Sequence, residues 1–240
     1  MKKVILFQTP NKFYEVAPIF CKEADKFGIF DHYYIVTDYD GPDNMPNDRC
    51  EVIRLNKDHR FSGNIRRVLD KVKEDIFLVC CEDHIMLKPN DPELFEKCFR
   101  FVKNNSDVGF LRLTYNRSVP LLNKSQLFSR LDKKYAYYIS LQPAIWRKEY
   151  LLPLLKDGET AWDFELKGAK RAKHDNKFHS YGVNENIFNH TNFFKKGKYY
   201  RRQYIDYALK EGIELDRNRK VYHGKQAITF EEYLKIHKSG

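Results

Sequence analysis

The chain lacks the short motifs that announce the commonest nucleotide and hydrolytic chemistries. It has no glycine-rich phosphate loop, no G-x-x-x-x-G-K-[ST], no H-E-x-x-H and no G-x-S-x-G. Those absences argue against the common ATPase and hydrolase signatures, though not against enzymes in general. Its five cysteines, at positions 21, 50, 80, 81 and 98, show no C-x-x-C or other zinc spacing. Their odd number, with Cys80 and Cys81 adjacent in an apolar run, suits buried free thiols in a reducing compartment, and a cytoplasmic protein is expected. No apolar run approaches the roughly 20 residues needed to span a bilayer. Residues 4–7, the apolar stretch nearest the start, are too few for a signal peptide. Repeats, low-complexity tracts and an evident linker are also missing, so a single domain over residues 1–240 is expected, with a basic, aromatic C-terminal segment from about 195.

What is present is an aromatic and basic chain. Aromatic residues make up 15% of it, and the net charge is +10. Most of the rings must fill a core, but an aromatic surplus also supplies stacking surfaces for bases and sugars. A positive field attracts phosphates of any kind, whether on nucleic acid, a sugar nucleotide or the face of a membrane, and charge alone does not choose among them.

Apolar patterning alternates between strand and helix through the first half. "KVILF", "HYYIVT", "VIRL", the run 76–81 and "VGFLRL" read as strands. Between them, residues 14–26 form a helical pattern ended by Gly28. "SGNIRRVLDKV" sets Ile65, Val68, Leu69 and Val72 at helical spacing, with Ser62 placed to cap the start. "NDPELFEKCFRFV" has Asp91 at the N-cap and Pro92 at the first helical position. Later, "AYYISLQPAIW" reads as a strand running into a loop, "KEYLLPLL" as a short helix interrupted by Pro153, and "TAWDFELKGAKRAK" as a helix with Trp162, Leu166 and Ala169 on one face. Strands alternating with helices predict an α/β fold, a mixed but mostly parallel central sheet with helices on both faces. Ligands of such sheets sit beyond the carboxyl ends of the strands.

Three acidic groups follow strands or open a helix. In "FLVCCEDHIML", Glu82, Asp83 and His84 end an apolar run; a carboxylate and an imidazole there could hold one divalent cation, against the plainer reading of an acidic loop. Asp38 and Asp40 follow the second strand, before the turn-rich "DGPDNMPND". In "GETAWDFE", Thr160 and Asp163 fit a capping box, while a carboxylate at a helix start also suits a general base; spacing leaves both roles open. Arg66 and Arg67 lie in the first turns of the helix opened by Ser62, where a phosphate would be favoured. Lys195, Lys196 and Lys198 flank Gly197 in a segment that could fold over an anion, and residues 167–174 read as a solvated face.

"FLVCCEDHIML" resembles the metal-binding strand of nucleotide-sugar-dependent glycosyltransferases of the GT-A (Rossmann-like) fold, in which an apolar strand ends in an acid-x-acid motif. "YISLQPAIWRKEYL" followed by "GETAWDFE" is similar to a bacterial and viral group of these enzymes, and with "FSGNIRRVL" the resemblance covers residues 3 to about 198. It implies that Glu82 and His84 hold Mn²⁺ or Mg²⁺, with Asp83 between them at the donor. His84 departs from the usual second carboxylate, so weaker metal binding or metal independence follows. It further implies that Asp38 reads a uracil ring with Thr9 beside it, that Arg66 approaches the diphosphate, and that Asp163 is the base of an inverting transfer with Glu165 two residues on; Lys198, from its basic segment, is a further donor-binding candidate. The implied function is transfer of a sugar from a nucleotide-diphosphate donor, a UDP-sugar, to a glycan or lipid-linked acceptor in polysaccharide assembly, with peripheral contact at the inner membrane face. The rival readings are a nucleic-acid-binding protein or metal-dependent nuclease, disfavoured by scattered basic residues among 33 acids, and a non-catalytic nucleotide-sugar-binding module.

Overall fold

The structure, a computed structural model, describes residues 1–41, 45–86, 91–200, 202–210 and 212–237. Leu87 at the end of the acidic-tipped run, Asn90 ahead of the Pro92 helix, Arg201 in the basic stretch and the middle of the turn after Asp40 lie outside these residues.

In chain order the first half comprises β1 (Val4–Gln8), α1 (Val16–Asp25), β2 (His32–Thr37), β3 (Cys50–Arg54), α2 (Arg60–Val68), β4 (Ile76–Cys81), β5 (His84–Met86), α3 (Pro92–Asn104) and β6 (Val108–Arg112). Next come β7 (Phe128–Arg130), β8 (Ala144–Arg147), α4 (Lys148–Leu154), α5 (Ala161–Asp163), a π-helical turn (Phe164–Gly168), α6 (Ala169–Lys173) and β9 (His179–Val183). The remainder holds β10 (His190–Asn192), β11 (Phe194–Lys195), β12 (Lys198–Tyr199), α7 (Arg202–Lys210), β13 (Val221–His223), β14 (Gln226–Ile228) and α8 (Phe230–His237).

Eight strands form the main sheet in the order β3-β2-β1-β4-β8-β6-β9-β7. It is parallel on both sides of β1, and β8 runs antiparallel between β4 and β6. The inner strands read as continuous apolar runs because each is covered on both faces. In β1, Ile5 and Phe7 enter one core while Val4 and Leu6 enter the other; in β4, Leu78 and Cys80 oppose Phe77, Val79 and Cys81 in the same way. Helices α1, α3, α7 and α8 cover the first face, and α2, α4 and the α5–α6 segment cover the second. A four-stranded sheet, β11-β12-β13-β14, packs its Phe194, Tyr199 and Val221 into the first core. Among the described residues, no helix is long and apolar enough to cross a membrane.

Asp91 caps α3, its Oδ1 accepting the N–H groups of Glu93 and Leu94. Ser62 does not cap α2, which begins earlier, at Arg60: Asn64 Oδ1 accepts the His59 N–H instead, and the buried Ser62 hydroxyl faces Glu159. The order expected over "AYYISLQPAIW", a strand running into a loop, is reversed: residues 136–143 turn, and the strand starts at Ala144, after Pro143, which has no N–H for a ladder. In the helix after Thr160, the extra residue of the π turn rotates the apolar face. Phe164, Gly168, Ala169 and Ala172 are buried, whereas Trp162 and Leu166, read as sharing a face with Ala169, are exposed. Gly109 lets α4 dock against β6, since a Cβ there would come within 2.4 Å of the Tyr150 ring.

Candidate functional site

A cleft of about 530 Å³ opens at the carboxyl ends of β1 and β4. Strand β1 has β2 on one side and β4 on the other, so the order of the sheet reverses here; this is where open α/β sheets take ligands. Gln8 and Cys81 line the floor from the two strands, and Leu141, Gln142 and the start of α5 close the opposite wall. Gln8 is nearly buried, and its Oε1 has no hydrogen-bond partner among the described residues.

The acidic tip predicted from sequence faces this cleft. Glu82 and Asp83 form the turn between β4 and β5, and Glu82, Asp83 and His84 all line the wall. Burial pushes the Glu82 carboxyl up to about 7, with the neighbouring Asp83 charge adding to the effect and Lys12 opposing it. Asp83 is raised as well, chiefly by burial. His84 is buried and held neutral, pushed down to about 4, and its ring meets that of His190 edge-on at 4.7 Å. Its Nδ1 lies 3.3 Å from Asp83 Oδ1 but is not aligned for a hydrogen bond, so it remains an orphaned buried atom.

That orphaned nitrogen beside a carboxylate fits a divalent cation shared by Asp83 and His84, with Glu82 adjacent. Among the described residues, no group of three or more His, Cys, Asp or Glu side chains forms a metal site. A cation here would therefore complete its shell with phosphate and water, as magnesium sites commonly do.

Of the two carboxylates on the opposite wall, Glu165 and not Asp163 lines the cleft. Asp163 closes a capping box: its Oδ2 accepts from the Thr160 hydroxyl (2.7 Å) and the Thr160 N–H (3.2 Å), while Oδ1 pairs with Lys167 at 2.7 Å. Lys167, then Thr160, holds its carboxyl well below the usual range. Glu165 accepts the Leu141 N–H at 2.7 Å, and burial raises its carboxyl while that bond and Arg112 oppose the shift. Two residues, about half a helical turn, separate the capping carboxylate from the one that lines the cleft. Glu159 is a structural acid, gripped by both terminal nitrogens of Arg171 at 2.9 and 2.6 Å.

The cations at the cleft are Lys12 and Arg60. Arg66 points elsewhere, donating to the Leu155 carbonyl, and Lys198 lies over the Tyr222 ring in the small sheet. Neither of these lines the cleft. Arg60 has φ +61°, a left-handed conformation unusual for a residue with a side chain; Asp58, accepting its N–H at 2.8 Å, supports it. Thr9 is fully buried, with its hydroxyl bonded to the Phe13 carbonyl. Asp38 Oδ1 accepts the Asn11 N–H at 2.6 Å. Both therefore shape the loop that carries Lys12 rather than line the cleft. From the other side Arg219 donates to the Lys12 carbonyl and pairs with Glu15 at 3.3 Å.

Residues that sequence reasoning missed share one property: nothing local marks them. Lys12 sits in an unpatterned loop, Arg60 opens α2 ahead of the helical spacing that was read from Ser62, and Gln142 lies where a strand was read as running into a loop. Trp162 carried a signal that was misread, since a tryptophan 71% exposed at the lip of a cleft is available for stacking.

No protein-family model matches the chain, and no curated protein matches it in sequence. Solved structures match its shape. Residues 1–349 of S. aureus TarS align over 76% of this chain and 60% of that one, at 13% identity and a TM-score of 0.51. The mannosyltransferase PcManGT of Pyrobaculum calidifontis, solved with GDP-Man and Mn²⁺, aligns over 88% of this chain and 60% of that one, at 11% identity and a TM-score of 0.50. The chain thus spans less than two thirds of either protein, and what it shares with them is the fold: a GT-A-like, Rossmann-related α/β architecture.

Proposed function

We propose that this chain is a nucleotide-sugar glycosyltransferase of the GT-A type, moving a sugar from a nucleoside-diphosphate donor to an acceptor hydroxyl. One observation carries the reading: the acidic tip of β4, the carboxylate of Glu165 and the cations Lys12 and Arg60 face one cleft at the reversal point of the sheet. The mannosyltransferase of like fold, with its GDP-Man and Mn²⁺, supports it.

The chemistry follows from the arrangement. Lys12 and Arg60 bind the donor's diphosphate and offset the charge that grows on it as the glycosidic bond breaks. Glu165, oriented by the Leu141 N–H, takes the proton of the acceptor hydroxyl. Attack on the face opposite the leaving group inverts the anomeric centre. Trp162 stacks on the sugar or base at the mouth of the cleft. Asp83 and His84, with Glu82 beside them, would hold a divalent Mn²⁺ or Mg²⁺ ion, which when bound supplies further charge neutralisation to the diphosphate. A UDP-sugar as donor, and a glycan or lipid-linked acceptor met at a membrane surface, belong to this proposal through the sequence motifs alone.

A thermal-shift panel of UDP- and GDP-sugars, with and without Mn²⁺, tests it. A nucleotide-specific rise in the unfolding midpoint is expected. A panel in which no nucleotide or nucleotide-sugar moves the midpoint overturns it.

A further inference from the structure

Beside the cleft, and sharing Gln142 with it, lies a second cavity of about 330 Å³. Its notable group is Arg112, the last residue of β6, which is only 8% exposed. Arg112 Nε donates to the carbonyl and the hydroxyl of Thr114, at 3.2 and 3.0 Å, which fixes the guanidinium plane. Among the described residues no carboxylate forms an ion pair with it. The Tyr135 phenol lies near it, and Glu165 acts on it only through its field. His190, on the same wall, carries no negative charge in either protonation state and supplies no counter-charge. A buried cation without a contacting anion is costly, and such groups are normally answered by an ion of opposite sign. Beside the ring of Phe188, most of the remaining lining is hydroxyl and amide, including Thr114, Asn116, Gln142 and Asn186, the kind of surface that hydrogen-bonds a polyhydroxylated molecule.

We propose that this second cavity is the acceptor subsite and takes an anionic sugar, one carrying a carboxylate or a phosphate, whose charge is met by Arg112. The inference rests on the glycosyltransferase reading. Glu165 lines the neighbouring cleft, which shares Gln142 with this cavity, so an acceptor anchored on Arg112 can extend a hydroxyl toward the base. In the transfer, that hydroxyl loses its proton to Glu165 and its oxygen bonds to the anomeric carbon of the donor. The bond from that carbon to the diphosphate oxygen breaks, and the nucleoside diphosphate leaves with the electron pair.

Binding of glucuronate, glucose 6-phosphate and neutral glucose to the full chain, titrated by saturation-transfer-difference NMR, tests the proposal. At least one anionic sugar is expected to bind about ten-fold or more tightly than glucose. Whether it is the uronate or the phosphate names the source of the charge. The preference should vanish in Arg112→Gln and partly return in Arg112→Lys. Should Arg112→Gln not fold, Thr114→Val, which removes one of the guanidinium's acceptors, should narrow the preference. Equal binding of all three sugars to the wild type, or a preference that survives Arg112→Gln, overturns the proposal. A UDP- and GDP-sugar titration in parallel separates the two readings. Donor binding without an anionic preference sinks only the acceptor assignment, whereas loss of donor binding as well sinks the transferase reading beneath it.

Discussion

Asp163 and Glu165 stand two residues apart in one helical segment, yet their carboxylates meet different surroundings. Asp163 is held by Thr160 and Lys167 at the helix start, and Glu165 reaches across to the Leu141 N–H on the wall of the cleft. The pair therefore divides cleanly under substitution. Glu165→Gln should cut turnover by about 100-fold or more, the usual worth of a positioned base, with little change in donor binding. Asp163→Asn should leave turnover near normal and weaken only the helix start. Steady-state kinetics on both variants check this, and the reverse pattern would move the base to Asp163.

Charge placement at the diphosphate gives a second contrast. Lys12→Ala and Arg60→Ala should each weaken donor binding by about ten-fold, the worth of a charge-assisted hydrogen bond, while Arg66→Ala and Lys198→Ala should not. Isothermal titration of the nucleoside diphosphate distinguishes the two sets.

The grip of Arg219 on the Lys12 loop predicts coupling over a long stretch of chain. Arg219 is 8% exposed in its side chain, pairs with Glu15 and holds the Lys12 carbonyl. Arg219→Ala should weaken donor binding in the wild type but add little once Lys12 is already alanine. A double-mutant cycle reads this as a coupling of about 1 kcal/mol. Strict additivity would show that Arg219 serves the fold and not the position of Lys12.

Burial of the histidines and of Glu82 makes stability depend on pH with opposing signs. His84 and His190 are each pushed down to about 4 from an ordinary 6.5, so the unfolded chain takes up two protons before the native one does, and stability is lost as pH falls below 6.5. Glu82, pushed up to about 7 from 4.5, keeps a proton in the native state that the unfolded chain releases, so its contribution is lost as pH rises through the same window. Between about pH 4.5 and 6.5 the two histidines make stability rise with pH, while Glu82, together with Asp83 and Glu165, whose carboxyls burial also raises, opposes that rise. Glu82→Gln should make the slope more positive by about 1.4 kcal/mol per pH unit. Urea unfolding across the window, with a chelator present, measures both slopes; an unchanged slope would mean that Glu82 is solvated.

Glu159 and Arg171 illustrate a different kind of acid. Their two-point contact is largely buried, so Glu159→Ala, which strands a guanidinium, should cost about 3 kcal/mol in stability. Denaturant titration checks that value, and kinetics below the unfolding transition should be close to wild type because neither side chain lines the cleft.

The main strands and the acidic tip of β4 were legible in the sequence because their signals are local. A run such as Ile76–Cys81, apolar at every position, can satisfy its backbone and bury both sides only inside a covered sheet. Asp91 with Pro92 marks a helix start by chemistry contained in three residues. The antiparallel strand at Ala144 and the rotated face around Trp162 were not legible, since a pairing partner and a π turn are settled by packing and not by period.

The sequence by itself determined an α/β chain whose central strand ends in Glu82, Asp83 and His84, because hydrophobic alternation and the cost of burying charge act residue by residue. Only the tertiary structure decided which charges meet. Lys12 and Arg60 took the cleft in place of Arg66 and Lys198, and Glu165 took it in place of Asp163. Those choices rest on loop paths, on one helical rotation and on Arg219 holding the Lys12 loop from more than 200 residues away in the chain, distances that no local pattern encodes.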